Sequence, residues 1–501
     1  MIFIFYITLF LFILGHGLLF NSIDNDFFAR LIVGKTYFQT GSLLDWDFLS
    51  YTPTHRFIDH EWGSSLVFYF LQSHFGDAGL LIFKAIIYFA TFYLITKVIL
   101  LRNKEEKLHF LPFWFLINAI PAILFATLRC QAFTFFFFAL WLYTLERVRL
   151  CGHTRLLWIL PATMLVWANM HGGCAAGIGL LVLYIAGEFL NKKSVKSYII
   201  TLIFTLLALF INPYGIPYLE FLIKALTLKR EFITEWQSSL SPLGLKFHFK
   251  YLIFAAAFLC LTLFYTLRFK INFKKIDKTK VLVLAVTFLM ALKSIRLQPF
   301  FILGAAAFCY SDFYKLFPKR LPASADRLKE IFFLVLMTFF VFSSAMQTKF
   351  KCVMWEYPIM EIDFLKANKI KGNLLCEFHD GSYAAYRLWP DVFIFMDGKY
   401  EEVYPDYLIY MLRDINLTNK GYLDKINKYR TDIIIVAKHY KIYQELKKNK
   451  DFKLMLESPK YALFLKKELI RSNFKTPAGN AKYYIKTKYD TNIDWSVKNE
   501  S

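Results

Sequence analysis

Long apolar runs separated by short polar segments are the feature that most constrains the fold of this chain. Together with a hydrophobic content of 57% and a mean hydropathy of +0.40, they supply more apolar side chain than a soluble protein of 501 residues can bury. The pattern predicts an α-helical polytopic membrane protein with about 11 transmembrane helices and excludes a disordered or fibrous chain. The predicted spans are residues 1–20, 80–101, 110–128, 132–145, 156–169, 173–190, 198–211, 251–267, 281–292, 300–317 and 331–346.

The distribution of basic residues predicts how these spans are oriented. The net charge of +22 is concentrated in short loops between apolar runs, which is typical of cytoplasmic loops rather than of nucleic-acid binding. Residues 62–75 are too short to span a membrane comfortably, and we treat them as interfacial. The N-terminus is then cytoplasmic, and all five basic loops face the cytoplasm. These loops are residues 102–107, 147–155, 191–197, 268–280 and 319–329.

Composition divides the chain into three parts. Residues 1–346 form the predicted transmembrane domain, with a polar first outer loop at 21–61. Residues 347–470 are polar overall but contain short β-branched and aromatic runs, which predict a soluble extracytoplasmic α/β domain. Residues 471–501 lack periodicity and predict a loosely ordered tail. In the α/β domain we expect strands at 374–376, 392–396 and 433–437 and helices at 404–415 and 440–448.

The first outer loop is rich in acidic residues beside a membrane. Asp26 begins a segment, 26–37, whose spacing of apolar residues predicts an amphipathic helix on the membrane surface. A functional role for Asp26 competes with simple solvation or helix capping. For Asp45 and Asp59 we favour the structural interpretation.

Isolated polar residues at the outer ends of the predicted helices form a second pattern. Arg129, His171 and Arg296 all face the side of the acidic loop, and such a group is suited to binding an anion such as a lipid-linked phosphate. Headgroup contact or pairing with the loop acids is the alternative. Glu235 and Trp236 lie in a later outer loop, where Trp236 is a candidate sugar-stacking platform or an interfacial anchor.

Several short motifs occur in a characteristic order, whereas nucleotide-binding, zinc-binding and nucleophile-elbow motifs are absent from the sequence. This order resembles that of the multi-spanning membrane glycosyltransferases of the C-type (GT-C) fold. They include protein O-mannosyltransferases, aminoarabinose transferases and the oligosaccharyltransferase catalytic subunit, and the similarity is greatest to one bacterial branch. The motifs are Asp26-Phe27-Phe28, residues 47–52 (DFLSYT), His60-Glu61-Trp62, Arg129-Cys130-Gln131, residues 167–173 (WANMHGG), residues 212–215 (NPYG), Glu235-Trp236, Gly381-Ser382-Tyr383 and residues 395–399 (FMDGK).

The resemblance implies transfer of a sugar from a polyprenyl-phosphate donor at the outer membrane face, with Asp26 as the catalytic acidic residue. The chain departs from the branch at Ala29-Arg30, where a His is usual, and at Cys130, where a Pro is frequent. The second early acidic residue of other GT-C branches has no clear counterpart, so metal use stays open. The predicted substrate-binding residues are Asp24, Asp47, His60, Glu61, Arg129, His171, Glu235 and Arg296.

The residue types suit this chemistry. Arg129, Arg296 and His171 can stabilise the charge that grows on the departing phosphate, and Asp26 can take the proton of an acceptor hydroxyl in an inverting displacement. In the alternative, Asp24 and Asp26 hold a divalent cation.

The expected partners are the lipid bilayer, the donor, and an envelope glycoconjugate acceptor that is a lipid, polysaccharide or protein. Nucleic acid is not an expected partner. A transporter or flippase of a lipid-linked saccharide and a non-catalytic envelope-assembly protein are the competing functions. A transporter predicts repeated halves and charges near mid-helix, and the sequence shows neither.

Overall fold

The structure is a computed structural model, and it describes most of the chain. The described residues are 2–19, 23, 25–43, 45–103, 128–227, 233–246, 276–316, 357–417, 421–471 and 474, with part of 328–339. The predicted span 251–267 and nearly all of 110–128 lie outside these residues, as do the predicted tail from 475 onward and Asp24.

Helices dominate the described residues, and a small sheet follows near the C-terminus. The helices are α1 (Ile2–Leu19), α2 (Asn25–Thr40), α3 (Trp62–Asn103), α4 (Gln131–Cys151), α5 (Ile159–Met170), α6 (Ala175–Leu190), α7 (Lys196–Ala208), α8 (Ile216–Thr227), α9 (Lys278–Lys293), α10 (Gln298–Leu316), α11 (Ile359–Ala367), α12 (Phe378–Leu388), α13 (Tyr400–Val403), α14 (Asp406–Leu417), α15 (Tyr422–Lys428) and α16 (Lys441–Lys448). The strands are β1 (Gly372–Leu375), β2 (Val392–Ile394), β3 (Ile433–Ala437), β4 (Phe452–Glu457) and β5 (Tyr461–Lys466).

The chain separates into two compact units. The helical unit comprises Met1–Asn21 and Leu80–Thr348, and the mixed unit comprises Ser22–Gly79 and Lys349–Ser501. The polar loop that follows α1 therefore groups with the C-terminal part of the chain, an association between distant segments that the sequence analysis did not anticipate. The two segments 62–75 and 80–101, treated separately above, are joined in α3 by a kink at Gly76, where φ is 60° and ψ is −158°.

In the helical unit, apolar helices pack closely against one another. α9 packs on α6 and α10, and a Cβ atom at Gly187 of α6 would lie 2.3 Å from the Thr279 hydroxyl oxygen, so only glycine permits this approach. On α7, large apolar side chains at Ile199, Ile203 and Leu207 are exposed on one helical face. An exposed aliphatic face of this kind is unfavourable in water and favourable in hydrocarbon.

Two described helices, Trp62–Arg102 and Gly172–Leu190, are long and apolar enough to cross a membrane. Shorter apolar helices are Phe3–Leu18, Lys196–Ala208 and Ile295–Tyr310. Helices thus occur at eight of the predicted spans, although several are shorter than a full crossing requires, and the predicted number of eleven is not shown.

In the mixed unit, a five-stranded sheet has the order β2-β1-β3-β5-β4. β2, β1 and β3 are parallel, whereas β5 is antiparallel to both β3 and β4. Residues 47–52 lie beside the edge strand β2: the Ile394 amide donates to the Leu49 carbonyl at 2.9 Å, and the Tyr51 amide donates to the Ile394 carbonyl at 3.1 Å. The segment therefore covers an edge that would otherwise expose unpaired backbone groups.

Helix α2 packs on α12 within the same unit. Phe28 is fully buried, and its ring centroid lies 4.8 Å from that of Tyr383 and 5.7 Å from that of Tyr357. Burying one such ring stabilises the fold by about 1.5–3 kcal/mol. Asp380 and Gly381, for which a turn is the default expectation, lie instead inside α12. A Cβ atom at Gly381 would come within 2.1 Å of the Met396 carbonyl oxygen, so glycine permits the close approach of the helix to this backbone.

Candidate functional site

Asp26 is an exposed residue in the first turn of α2, where the helix N-terminus favours a negative charge. The packing of α2 on α12 brings its carboxylate to the turn after β2. A Cβ atom built at Gly398 would lie 3.7 Å from Asp26 Oδ1. The motifs containing Asp26, Ser382 and Gly398, which are far apart in the sequence, therefore meet in the mixed unit.

Lys399 lies in the same turn and forms a buried ion cluster. Its Nζ atom is 3.0 Å from Asp47 Oδ1 and 3.1 Å from Asp397 Oδ2, and all three side chains are at most 5% exposed. Burial alone would lower the pKa of Lys399, but the carboxylates of Asp397 and Asp47 outweigh it and raise that pKa. Because the Ser50 hydroxyl donates to the other Asp47 oxygen at 2.6 Å, Asp47 is engaged within the fold, which favours a structural role for it.

His60 and Glu61 belong to a second cluster of the mixed unit. His60 Nε2 lies 3.6 Å from Glu61 Oε1, and His60 Nδ1 lies 3.5 Å from Glu402 Oε1. Burial raises the pKa of Glu402 to about 7; the neighbouring His60 lowers this pKa and Glu61 raises it. Glu402 is not among the site residues predicted from the sequence, although Glu401-Glu402 follows the motif at 395–399 almost directly.

Arg30, which lies where the GT-C branch usually has a His, has a structural role in this chain. The Arg30 guanidinium is buried, lies 2.5 Å from Asp59 Oδ1, and has its Nε atom 3.5 Å from Glu61 Oε2. Asp59 is thus part of an ion pair. Asp45 is exposed and lies 3.4 Å from Arg56. Both contacts agree with the structural interpretation of these two acids.

In the helical unit, Arg129, Glu235 and Arg296 form what we term the Arg129 cluster. Arg129 Nη1 lies 2.5 Å from Glu235 Oε1, and Arg296 Nη1 lies 3.3 Å from Glu235 Oε2. With its amide oriented to satisfy hydrogen bonding, Gln131 accepts from Arg296 at 2.5 and 3.1 Å. Each of the three charged side chains is about one fifth exposed. Two guanidinium groups therefore share one carboxylate at an accessible position.

Trp236 supports this cluster. The guanidinium carbon of Arg296 lies 5.2 Å from the Trp236 ring centroid, within the range of a cation–π interaction. The ring thus contacts Arg296, and the sugar platform and the membrane anchor considered above stay predictions.

His171 is nearly buried at the end of α5. Its Nδ1 atom accepts a hydrogen bond from the Gly173 amide at 2.9 Å and lies 2.8 Å from the Thr134 hydroxyl oxygen, which itself accepts from Trp167 Nε1 at 3.0 Å. These donors fix the tautomer that carries its proton on Nε2. The Nδ1 edge of the ring therefore serves the turn, and only the Nε2–H edge suits the predicted anion binding.

A different arginine cluster joins other helix ends of the helical unit. In this Arg102 cluster, Arg102 and Arg149 contact the carboxylates of Glu146, Glu188 and Asp277. Arg149 alone reaches all three acids, at 3.0, 2.6 and 2.5 Å. The cluster brings together the C-terminal ends of α3, α4 and α6 and the N-cap of α9.

Among the described residues, no group of three or more His, Cys, Asp or Glu side chains is arranged to hold a metal ion. Asp24, the second carboxylate of the cation alternative, lies outside them. The predicted site residues that are described fall into two sets: Asp26, Asp47, His60 and Glu61 in the mixed unit, and Arg129, His171, Glu235 and Arg296 in the helical unit.

No protein-family model and no curated protein sequence matches the chain. Among solved structures, the fold is similar to the apo form of the oligosaccharyltransferase of Archaeoglobus fulgidus, with a TM-score of 0.51 and 11% identity over 83% of this chain and 66% of that one. The same enzyme tethered by a disulfide bond to an acceptor peptide containing the NVT sequon has a TM-score of 0.54 and 13% identity over 83% and 65%.

The chain thus spans slightly less than two thirds of the length of these neighbours. At this identity the similarity concerns the fold. The resemblance to the GT-C glycosyltransferases is confirmed at that level.

Proposed function

We propose that the chain is a membrane glycosyltransferase that moves a sugar from a polyprenyl-phosphate donor to an acceptor on the outer face of the membrane. Two observations support this function. The fold is that of a GT-C enzyme, and the Arg129 cluster offers an accessible site for an anionic group. Fold alone does not determine activity, so the cluster carries the proposal.

The donor's leaving group explains why such a cluster is needed. When the bond between the anomeric carbon and the phosphate oxygen breaks, the electron pair stays on the polyprenyl phosphate. Arg129 and Arg296 present guanidinium groups that match phosphate geometry, and Glu235 and Trp236 fix their orientation. Oriented donors of this kind stabilise a developing negative charge without reorganisation in the transition state.

Asp26 is the proposed general base. In this step the acceptor oxygen attacks the anomeric carbon, the acceptor's proton moves to the Asp26 carboxylate, and the configuration at the anomeric carbon inverts. Asp26 is exposed and lies beside Gly398, a glycine with no side chain to block an approaching acceptor. The proposed acceptor is an envelope lipid, polysaccharide or protein; the neighbouring enzyme is known with an acceptor peptide.

The proposed placement in the plasma membrane rests on the exposed apolar face of α7 and on the Arg102 cluster. That cluster gathers the helix ends next to four of the basic loops, at 102–107, 147–155, 191–197 and 268–280. We assign these ends to the cytoplasmic side, in accordance with the positive-inside rule. The proposed N-terminus is then cytoplasmic, and the C-terminal α/β part is extracytoplasmic.

The test compares envelope glycoconjugates by mass spectrometry in host strains with the wild-type gene, a deletion, Asp26→Asn, or Asp45→Asn as an exposed carboxylate control. We expect the deletion and Asp26→Asn to lose the same sugar-sized mass and Asp45→Asn to retain it. If the deletion loses the mass and Asp26→Asn retains it, the base assignment is wrong, and a flippase or scaffold explains the phenotype better. An unchanged deletion strain would contradict the transferase proposal itself.

A further inference from the structure

Asp380, in the first turn of α12, is a carboxyl that the proposed reaction does not use. Its side chain is fully buried, and no described residue donates a hydrogen bond of ordinary length and angle to either of its oxygens. His379 Nε2 lies 3.7 Å from Asp380 Oδ1, which is longer than a hydrogen bond. An ionised carboxylate in the interior needs such donors, so a carboxyl that lacks them is more stable in its protonated, neutral form.

Two further carboxyl groups lie in the same part of the mixed unit. Glu361 of α11 is fully buried, and again no described residue donates an ordinary hydrogen bond to its oxygens. Glu377, the N-cap of α12, is also buried, and its Oε1 atom accepts from Asn416 Nδ2 at 3.1 Å. Both acids interact electrostatically with Asp380. We call these three acids, Glu361, Glu377 and Asp380, the Asp380 group.

Positive charge around the Asp380 group is outnumbered by acid. The other titratable groups that face it are Cys376 after β1, His379 in α12, Lys438 after β3, Tyr440 before α16, and Lys460 and Tyr461 at the start of β5, while Asp397 after β2 faces Cys376. Asp363 of α11 pairs instead with Arg387, in the last turn of α12. Two lysines of this set therefore face three carboxyl groups.

Burial determines the protonation of these acids. It raises the pKa of Glu361 to about 7 and also raises the pKa of Glu377 and of Asp380, against the opposing charges of the two lysines. An acid whose pKa is raised by folding contributes stability while it is protonated. For Glu361 this contribution is complete below its ordinary pKa of 4.5 and is lost as the pH rises through about 7. The contribution of Asp380 is lost as the pH rises through its own raised pKa.

Helix α12 connects the Asp380 group to the candidate site. α12 packs on α2, whose first turn carries Asp26, and Gly381 lies against the Met396 carbonyl just before the turn at Gly398. A negative charge on Asp380 has to be hydrated or neutralised, because burying it is costly. Hydration requires the first turn of α12 to leave its packed position, and this movement disturbs the contact with α2.

We propose that the Asp380 group is a pH-sensitive switch that keeps α12 packed against α2 only while its buried carboxyls are protonated. A rise in external pH ionises the group, α12 loosens, and Asp26 is no longer held in position. The effect on sugar transfer rests on the proposed function, whereas the effect on stability does not. The switch restricts transfer to acidic and neutral surroundings.

The test measures thermal unfolding of the purified full-length chain in nanodiscs between pH 5 and pH 9. We expect the melting temperature of the wild type to fall by roughly 5–10 °C over this range. Asp380→Asn and Glu361→Gln have the shape of the neutral acids but cannot ionise, so each should remove part of the fall. The comparison uses the change with pH, and it stays valid if a variant melts lower at every pH. A wild-type fall that is absent, or equal in Asp380→Asn, would overturn the switch.

Three control variants separate the buried carboxyls from other titrating groups. Asp424→Asn and Glu468→Gln alter exposed acids of the same unit, and both should retain the wild-type fall. His379→Asn removes the partly exposed imidazole beside Asp380 and should also retain it. If His379→Asn alone abolishes the fall, the imidazole and not the carboxyl group senses pH, and the inference is wrong.

Hydrogen exchange of the wild type locates the change without any substitution. After correction for the intrinsic rate, residues 378–388 should lose protection between pH 6 and pH 9 by about tenfold or more, while β3 should retain it. Protection of α12 that does not change with pH would contradict the proposal.

Sugar transfer measured at pH 6 and pH 9 connects the switch to the site. Wild-type transfer should fall roughly 10-fold to 100-fold at the higher pH, and Asp380→Asn should retain more of its activity. Equal falls in both proteins would refute the link between α12 and Asp26. If no transfer occurs at either pH while unfolding behaves as expected, the transferase function is refuted and the switch stands.

Discussion

The described part of the helical unit contains two arginine clusters at helix ends, and they differ in charge balance and in exposure. In the Arg102 cluster, two arginines contact three carboxylates, and the exposed Lys193 adds a contact to Glu188 at 3.2 Å. In the Arg129 cluster, two arginines share one carboxylate. Arg149 is 6% exposed, whereas Arg129 and Arg296 are 21% and 23% exposed.

This difference shows how the same residue type serves two purposes. Within the Arg102 cluster, the three carboxylates are matched by Arg102, Arg149 and the exposed Lys193, and each acid contacts Arg149. Hydroxyl groups also donate to two of the acids: Tyr184 to Glu146 at 2.8 Å and Thr279 to Glu188 at 2.8 Å. Such a cluster ties helix ends together. Among the described side chains of the Arg129 cluster, arginines outnumber carboxylates, and both arginines are partly exposed, which is the arrangement that an anionic substrate requires.

The largest expected effect comes from breaking the Arg102 cluster. Arg149→Ala leaves the carboxylates of Glu146 and Glu188 buried with fewer positive partners, and we expect a loss of about 3–5 kcal/mol in the free energy of unfolding. Thermal unfolding of the purified chain in nanodiscs measures this loss. Arg147→Ala, on the same helix, is the control. A variant as stable as the control would show that the cluster does not hold the helix ends.

A loss of activity without a loss of stability is expected for the Arg129 cluster. Arg129→Ala removes a donor to the departing phosphate, and sugar transfer should fall roughly 100-fold to 1000-fold. The melting temperature should change little, because the site is partly hydrated. Arg129→Lys, which retains the charge but not the planar fork, should recover part of the activity. Normal transfer by Arg129→Ala would rule out phosphate binding at this cluster.

Removing the charge of Glu235 tests whether the positive charge of the Arg129 cluster binds an anion. Glu235→Gln retains the shape of the side chain but removes the negative charge between the two arginines. We expect purified protein to bind polyprenyl phosphate roughly 3-fold to 10-fold more tightly, with a steeper dependence on salt. Glu220→Gln, at an exposed position of α8, serves as the control. Weaker binding by Glu235→Gln would indicate that the acid contributes more through orientation than through charge.

The smallest effect is expected at the margin of the Arg102 cluster. Lys193 is 54% exposed, so its contact with Glu188 is screened by solvent. Lys193→Ala should lower the free energy of unfolding by only about 0–1 kcal/mol. If denaturation shows that Lys193→Ala lowers the free energy of unfolding as much as Arg149→Ala does, the buried part of the cluster is not the part that stabilises the fold.

The spacing of apolar residues in the sequence correctly predicted several helices and strands that bury an apolar face or run. The strand at 433–437 is found at those residues, and the helix expected at 440–448 is found at Lys441–Lys448. The helix expected at 173–190 is found at Ala175–Leu190. Strands β4 and β5 were missed; in β4, the charged residues Lys453 and Glu457 interrupt the apolar pattern.

Long-range pairing could not be predicted from one sequence. Residues 47–52 were identified as a motif, but only the structure shows that they lie beside β2 and that Asp47 pairs with Lys399, 352 residues away. Arg129, Glu235 and Arg296 were predicted as site residues, yet their shared geometry depends on how α4, α9 and α10 pack. The burial of the Asp380 carboxyl is likewise visible only once its neighbours are in place.

If the chain consumes a polyprenyl-phosphate sugar, the amount of that lipid must fall when active protein is supplied. Purified wild-type chain and Asp26→Asn are each added to membranes from the deletion strain, and lipids are quantified by mass spectrometry. We expect the wild type to convert a sugar-bearing polyprenyl phosphate into free polyprenyl phosphate and Asp26→Asn to leave it unchanged. Unchanged lipids with the wild type, or equal conversion by both proteins, would contradict the proposed function.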